Sequence, residues 1–491
     1  MTDREPSPLE RQLVDGLSGL EATSEPASTE LDLAQLYDVQ LASRHTDLAA
    51  RWLRSQGKGY YTIGSAGHES NAIVAMATRK TDPALLHYRS GGFYLGRAGL
   101  EGISDILSGV VAATSEPISG GRHKVFGRHD LAIIPQTSTI ASHLPRAVGV
   151  AFAIDRAAKL KVASPWPADA ITICSFGDAS ANHSVATGAF NSAAYCAYQR
   201  LPMPLLFVCE DNGLGISVRT PARWIETSFA GRPHLRYVAV DGDDPLAVGQ
   251  VSHEIAEWVR RTRQPAFLHL HTVRFGGHAG TDVETAYRTA AELRADADCD
   301  PIVGTAKALL SCGWSKSDLL RRHDEIADLV YKVAADLADA EQLRTADEVA
   351  RPLAIRRPGE VERLTRTLTP SSETGDLTFA QAVNTTLATV LERQPNVLVF
   401  GEDVAVKGGV YGVTKGLLSK AGGGRVFDTL LDETSILGLA NGTAISGFVP
   451  VPEIEYLAYL HNAEDQLRGE AATLSFFSNG QYRNGLVVRV A

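Results

Sequence analysis

Ile171-Thr172-Ile173-Cys174-Ser175-Phe176-Gly177-Asp178-Ala179-Ser180 and Leu205-Leu206-Phe207-Val208-Cys209-Glu210-Asp211-Asn212-Gly213-Leu214 decide the reading of this chain. Each opens with an apolar run, 171–175 and 205–209, of the kind that forms a parallel strand buried on both faces. The Ala-rich stretch 184–199 between them has helical composition. A strand–helix–strand unit brings the C-terminal ends of both strands to one edge of a parallel sheet. Asp178 and Asn212 are therefore expected to converge beside a helix N-terminus, where free N–H groups and the helix dipole favour phosphate. Mg²⁺ takes one or two carboxylates together with phosphate oxygens and water. The Asp178 carboxylate, the Asn212 amide oxygen and the Leu214 backbone carbonyl would complete an octahedron around a bound diphosphate. The same residues serve equally as a strand-end aspartate capping a helix and an Asn-Gly turn, and spacing alone does not separate the two readings.

Composition sets broad limits. A chain of 491 residues exceeds one ordinary core, so two or three domains are expected. Hydrophobic content of 44% and charged content of 21% are those of a globular protein. A formal net charge of −10 argues against a nucleic-acid surface. The polar N-terminal segment has no signal-peptide pattern and no apolar run reaches membrane-spanning length, so no membrane partner is expected. The five cysteines lack metal-ligand spacing, and two fall in the predicted buried strands, which suits reduced thiols and a cytoplasmic location.

The pattern along the chain divides it. Residues 1–30 are rich in Ser, Pro and Glu and are expected to be disordered. Residues 31–300 alternate helical and strand patterns, and 301–345 are amphipathic helix. A polar stretch, 346–376, reads as a linker. A second α/β pattern follows: helix 380–393, strands 397–401 and 426–429, helix 435–446, strand 449–454 and helix 458–477. The chain stops within an apolar alternation, 486–491, that reads as a central strand, so it is expected to be C-terminally truncated.

Gly177-Asp178-Ala179, followed further on by Asn212-Gly213, resembles the thiamine diphosphate fingerprint, with Ala179 where the motif usually has Gly. In the second half Phe400-Gly401-Glu402-Asp403-Val404, Gly408-Gly409-Val410-Tyr411, Thr414-Lys415-Gly416, Val426-Phe427-Asp428-Thr429 and Asp432-Glu433 run in order. Together they resemble the pyrimidine-binding subunit of the thiamine diphosphate-dependent decarboxylating first components of 2-oxo acid dehydrogenase complexes. The first half is similar to the diphosphate-binding subunit, through Tyr88-Arg89, residues 136–145, the Asp178/Asn212 pair and residues 274–288. The resemblance implies α and β subunits fused in one chain. It implies an α/β fold of two transketolase-like parallel-sheet domains, diphosphate-binding over 31–345 and a partial pyrimidine-binding domain over 377–491.

The resemblance also implies site roles. A carboxylate must hydrogen-bond the cofactor's pyrimidine N1′, and by position this is Glu433; alone, it would be a first-turn glutamate favoured by the helix dipole. Arg274-Phe275-Gly276-Gly277-His278-Ala279-Gly280-Thr281-Asp282 is similar to the family's flexible active-site loop. There His278 would donate to diphosphate or to the reacting carboxylate, and Arg274 would add charge-assisted bonds to phosphate. Ala279 stands where some relatives carry a phosphorylatable serine. Tyr88 and Arg89 would bind diphosphate, Gly177, Ala179 and Ser180 would line it, and Ser138 and Ile140 would meet the aminopyrimidine. Mg²⁺ would be held by Asp178, Asn212 and Leu214. His143, Tyr459 and His461 receive no role.

The activity so implied is oxidative decarboxylation of a 2-oxo acid, branched-chain or pyruvate-like, with acyl transfer to a lipoyl group. The expected partners are the 2-oxo acid, the lipoyl domain of an acyltransferase core and a second copy of the chain as a homodimer. A transketolase-type enzyme is the first alternative, and it would need a His-rich sugar-phosphate pocket. A non-catalytic truncated remnant is the second; retention of Glu433, Asp178, Asn212 and His278 argues against it, and the expected missing C-terminus argues for it.

Overall fold

Strands β3 (Thr172–Gly177) and β4 (Leu205–Asp211) lie where the two apolar runs end in Gly-Asp and Asp-Asn. In the computed structural model, residues 5–21, 29–60, 63–124, 126–137, 139–353, 357–367 and 375–491 are described. The first half contains β1 (Ala84–Leu85), β2 (Ile133–Ile134), β3 (Thr172–Gly177) and β4 (Leu205–Asp211), then a small antiparallel hairpin of β5 (Leu214–Gly215) and β6 (Val218–Arg219), then β7 (Arg236–Asp241) and β8 (Ala266–His271). The main sheet has the order β2-β1-β3-β4-β8-β7 and is parallel throughout. Every residue of β3 is buried, as expected of a strand covered on both faces. Phe176, Phe190 and Phe207 pack edge to face or tilted around it, with Phe190 and Phe207 ring centres 4.9 Å apart.

The strand order reverses between β1 and β3, and ligands of open parallel sheets bind at such switch points, beyond the C-terminal strand ends. Tyr88-Arg89 follows β1, Ile140 follows β2, Asp178 follows β3, Asn212 follows β4, and Arg274 and His278 follow β8. One topological rule thus gathers segments nearly two hundred positions apart.

The second half forms a parallel sheet from β9 (Val397–Gly401), β10 (Val426–Asp428), β11 (Val449–Ile454) and β12 (Arg489–Val490), in the order β10-β9-β11-β12. Within the stretch 486–491 expected as a strand, Arg489 and Val490 pair in parallel with β11. The helix expected over 458–477 is broken into Leu457–Leu460, His461–Ala463, a π-helical turn Asp465–Ala471 and Leu474–Phe477. The physical reason lies in its buried polar groups. The Gln466 carbonyl accepts from Asn441, and Glu470 accepts from the Thr137 hydroxyl, so the backbone departs from regular helix to serve them.

The two halves join through helices His143–Leu160 and Glu433–Ile445, which share one apolar core including Val148, Phe152, Ile436 and Leu437. A Cβ at Gly442 would lie 2.2 Å from the Arg146 carbonyl oxygen, and one at Gly149 would lie 2.5 Å from that of Leu439. Glycine at these positions lets the backbones approach where a methyl group would block them.

The N-terminal segment expected to be disordered contains an α-helix, Pro8–Gly19, with Leu13 and Leu17 buried. Ser7 and Glu10 form a capping box with Pro at the helix start, and leucines at helical spacing face the core, outweighing the polar composition. The stretch expected as a linker holds two short helices, Ala346–Ala350 and Pro358–Thr367. All five cysteines are free thiols, with Cys174 and Cys209 buried in β3 and β4. Among the described residues, no helix is long and apolar enough to cross a membrane.

Candidate active site

Asp178 opens a 3₁₀ turn directly after β3 and is 1% exposed. The Thr220 hydroxyl donates to its Oδ2, and the Asn212 backbone N–H also bonds to it. Burial, followed by the neighbouring Asp211 charge, raises its pKa to about 6. A carboxyl group buried beside a second carboxylate fits a site that takes a cation. Ala179 is not among the residues with positive φ, so the glycine usual in the motif is not required by the backbone here. Ser180 is buried in the same turn.

The Asn212 amide is oriented by a chain of bonds. His68 is fully buried and burial lowers its pKa to about 4, so its ring is neutral. Its Nδ1 lies 2.7 Å from Glu210 Oε2, and its Nε2 lies 2.9 Å from the Asn212 Nδ2. Burial pushes Glu210 up, but hydrogen bonds from His68 and His87 outweigh it and hold the carboxyl ionised, well below the usual range. An ionised Glu210 accepts the hydrogen bond from Nδ1–H, leaving Nε2 to accept from the Asn212 amide nitrogen. The Asn212 Oδ1 then faces the other way, where it accepts the Leu214 N–H at 3.1 Å and keeps a second lone pair. Asp178, Asn212 and Leu214 thus come together, and their oxygens suit Mg²⁺.

Arg89 is 3% exposed and donates to the Gly64 carbonyl at 2.6 Å and to both the carbonyl and the Nδ1 of His278 at 3.1 Å. Its guanidinium lies 5.2 Å from the Tyr88 ring centre, and the Tyr88 and His278 rings are 6.2 Å apart. Burial, then the Arg89 and Arg274 charges, lowers the His278 pKa to about 4. A neutral ring accepting at Nδ1 carries its proton on Nε2. Arg274 is buried and binds the Ile216 carbonyl at the hairpin tip at 2.7 Å and the Tyr287 hydroxyl at 2.6 Å. Tyr287 in turn donates to Asp282 at 2.6 Å. Arg274 therefore ties the loop to the hairpin beside Leu214.

Ile140 is 42% exposed, and the Ser138 expectation lies outside the described residues. Gly177 ends β3, and a Cβ there would meet the His87 ring at 3.3 Å. His143 is buried, its Nε2 2.9 Å from the Ser175 carbonyl. Glu433 is half-buried in the first turn of its helix, 3.5 Å from the Asn462 amide nitrogen. Its charge helps, after burial, to raise Glu402 to about 7. These partners of Glu433 belong to the second half, whereas Tyr88, Arg89, Asp178, Asn212, Leu214, Arg274 and His278 form one connected cluster in the first. Sequence reasoning missed His68, His87, Glu210 and Thr220. Glu210 lies within a quoted motif and His87 adjoins another, a usable signal; His68 and Thr220 are placed only by the fold.

The fold and cluster define a protein of the transketolase-like thiamine diphosphate class, with its diphosphate half first. Residues 37–347 match the family described as dehydrogenase E1 component, and residues 376–479 match the transketolase pyrimidine-binding domain; both families bind thiamine diphosphate. The chain belongs to the dehydrogenase E1 component family, with alpha-type and pyrimidine-binding parts fused. The chain is 48% identical over 104 residues to the pyruvate dehydrogenase E1 component subunit beta of Staphylococcus epidermidis, covering 21% of this chain and 32% of that protein. The same subunit of Bacillus subtilis is 42% identical over 113 residues, covering 23% and 35% respectively. The chain thus spans about a third of the length of these curated relatives.

Proposed function

We propose that this chain acts, with thiamine diphosphate and Mg²⁺, in the oxidative decarboxylation of a 2-oxo acid and passes the acyl group to a lipoyl domain of an acyltransferase core. The observation carrying this reading is the convergence of buried Asp178 with an Asn212 amide whose oxygen is turned away from His68. Asp178, Asn212 and the Leu214 carbonyl would hold the metal. Tyr88, Arg89 and the Nε2–H of His278 would bind the diphosphate, with Gly177, Ala179 and Ser180 lining it. When bound, the cofactor would supply a carbanion to add to the 2-oxo carbon and a ring that takes up the electron pair of the breaking carbon–carboxylate bond as CO₂ leaves. Glu433 would hold a proton against the pyrimidine N1′, while Ile140 packs beside the ring and Arg274 keeps the loop against the hairpin.

In this reading the site is completed with a second copy of the chain, as a homodimer. The division used is 31–345 for the diphosphate half, 346–376 between the halves, and 377–491 for the pyrimidine half. The substrate is a branched-chain or pyruvate-like 2-oxo acid, in keeping with the pyruvate dehydrogenase names of the relatives. A cytoplasmic location belongs to the same reading.

Calorimetric titration with thiamine diphosphate and Mg²⁺ tests it. Metal-dependent binding is expected in the wild type and not in Asp178→Ala. Pyruvate and branched-chain 2-oxo acids, each assayed with an artificial electron acceptor, then identify the substrate. Tight cofactor binding without turnover of any 2-oxo acid would overturn the catalytic reading.

A further inference from the structure

Among the described residues, two groups of buried histidine and carboxylate side chains have the composition of a metal centre. One, His68, His87 and Glu210, belongs to the cluster that orients Asn212. The other lies outside the candidate active site. Glu10, His45 and His323 come from helices Pro8–Gly19, Leu33–Ser55 and Lys316–Leu337, and they are 5%, 0% and 2% exposed. One donor atom from each lies within 4.8 Å of the others. The two imidazole rings meet edge to face, with centres 4.8 Å apart.

A tetrahedral ion with bonds of about 2.0–2.1 Å places its donors roughly 3.4 Å apart, so donors within 4.8 Å of one another would draw together on binding it. His323 points independently to a ligand. Its Nδ1 lies 2.9 Å from the Asp324 carboxylate, and donation there leaves the lone pair on Nε2. That Nε2 is buried and has no hydrogen-bond partner among the described residues. Leaving such an atom unpaired costs about 1–3 kcal/mol, and a carboxylate behind a histidine is the usual outer support of a metal ligand. Glu10 is held in place by the capping box, its Oε2 accepting the Ser7 N–H at 3.3 Å.

We propose that Glu10, His45 and His323 bind one divalent transition-metal ion of the zinc type, which clamps the N-terminal helix onto the first half. Two imidazoles and one carboxylate suit zinc or cobalt, whereas Mg²⁺ favours all-oxygen surroundings. A fourth coordination position remains for water.

The test uses the 491-residue chain, stripped with a chelator and titrated with Zn²⁺ and, separately, with Co²⁺. Metal content is read after desalting, and Co²⁺ coordination by its visible d–d bands. The wild type and Asp178→Ala should each retain one equivalent of Zn²⁺, while His323→Gln and Glu10→Gln should lose it together with the cobalt bands. Asp324→Asn, at a surface position that leaves the core intact, should bind about 10–100-fold more weakly. Hydrogen exchange over residues 8–19 should slow when metal is added. A folded wild type that retains no transition metal would overturn the proposal. So would equal retention by His323→Gln, or loss of the ion in Asp178→Ala, which would place it in the diphosphate site.

Discussion

In the cofactor-free chain, Asp178→Asn should raise stability at about pH 7.5 while abolishing metal-dependent cofactor binding. Burial, then the Asp211 charge, lifts the Asp178 pKa from 3.8 to about 6, and the residue is only 1% exposed. At about 1.36 kcal/mol per pKa unit, this corresponds to about 3 kcal/mol against the folded state once the group is ionised. The folded pKa exceeds the unfolded one, so between pH 3.8 and about 6 the folded chain binds more protons. Stability from this group therefore falls as pH rises through that window, and the penalty is complete above it. Asparagine keeps an oxygen for Thr220 and the Asn212 N–H but carries no charge. Chemical denaturation of both proteins across this pH range should give the variant an advantage of up to about 3 kcal/mol at neutral pH, closing below about pH 4. Calorimetry on the same samples should find Mg²⁺-dependent thiamine diphosphate binding in the wild type alone. A stability gap that does not change with pH, or a variant that still binds metal, would refute the view of Asp178 as a strained carboxylate awaiting a cation.

Other perturbations test the remaining parts. His68→Phe frees the Asn212 amide to turn, and Mg²⁺ affinity measured by titration should fall about 10–100-fold. Gly442→Val places its Cβ 2.2 Å from the Arg146 carbonyl, against backbone that has little room to move. It should cost about 1–3 kcal/mol or more in denaturation experiments, as overpacking of a core does. Arg44 is fully buried and bonds Glu69 at 2.6 Å and Asp300 at 3.0 Å. Arg44→Met strands both carboxylates and should cost about 3–5 kcal/mol by the same measurement, whereas a loss under about 1 kcal/mol would mean they are solvated on removal.

Much of the architecture was legible locally. The runs 171–175 and 205–209 identify themselves as buried strands because a parallel strand is apolar on both faces, and the structure carries them on to Gly177 and Asp211. In the second half, the expected strands 397–401 and 449–454 match β9 and β11 residue for residue. The N-terminal helix was missed because composition was weighed above a capping box and four leucines, Leu9, Leu13, Leu17 and Leu20. The broken helix was missed because periodicity cannot register that Gln466 and Glu470 must reach groups on other elements.

The sequence by itself determined the fold class, the strand ends that bear Asp178 and Asn212, and the order of motifs behind the family resemblance. These depend on local patterning and turn chemistry, which any short window contains. Only the tertiary structure decided how the Asn212 amide faces, that His68 and His278 are neutral, and that Asp178 is strained. It alone placed Glu433 among second-half partners and brought Glu10, His45 and His323 together. The physical reason is that protonation and amide orientation follow from burial and from neighbours distant in sequence, which exist only once the sheets and helices have packed.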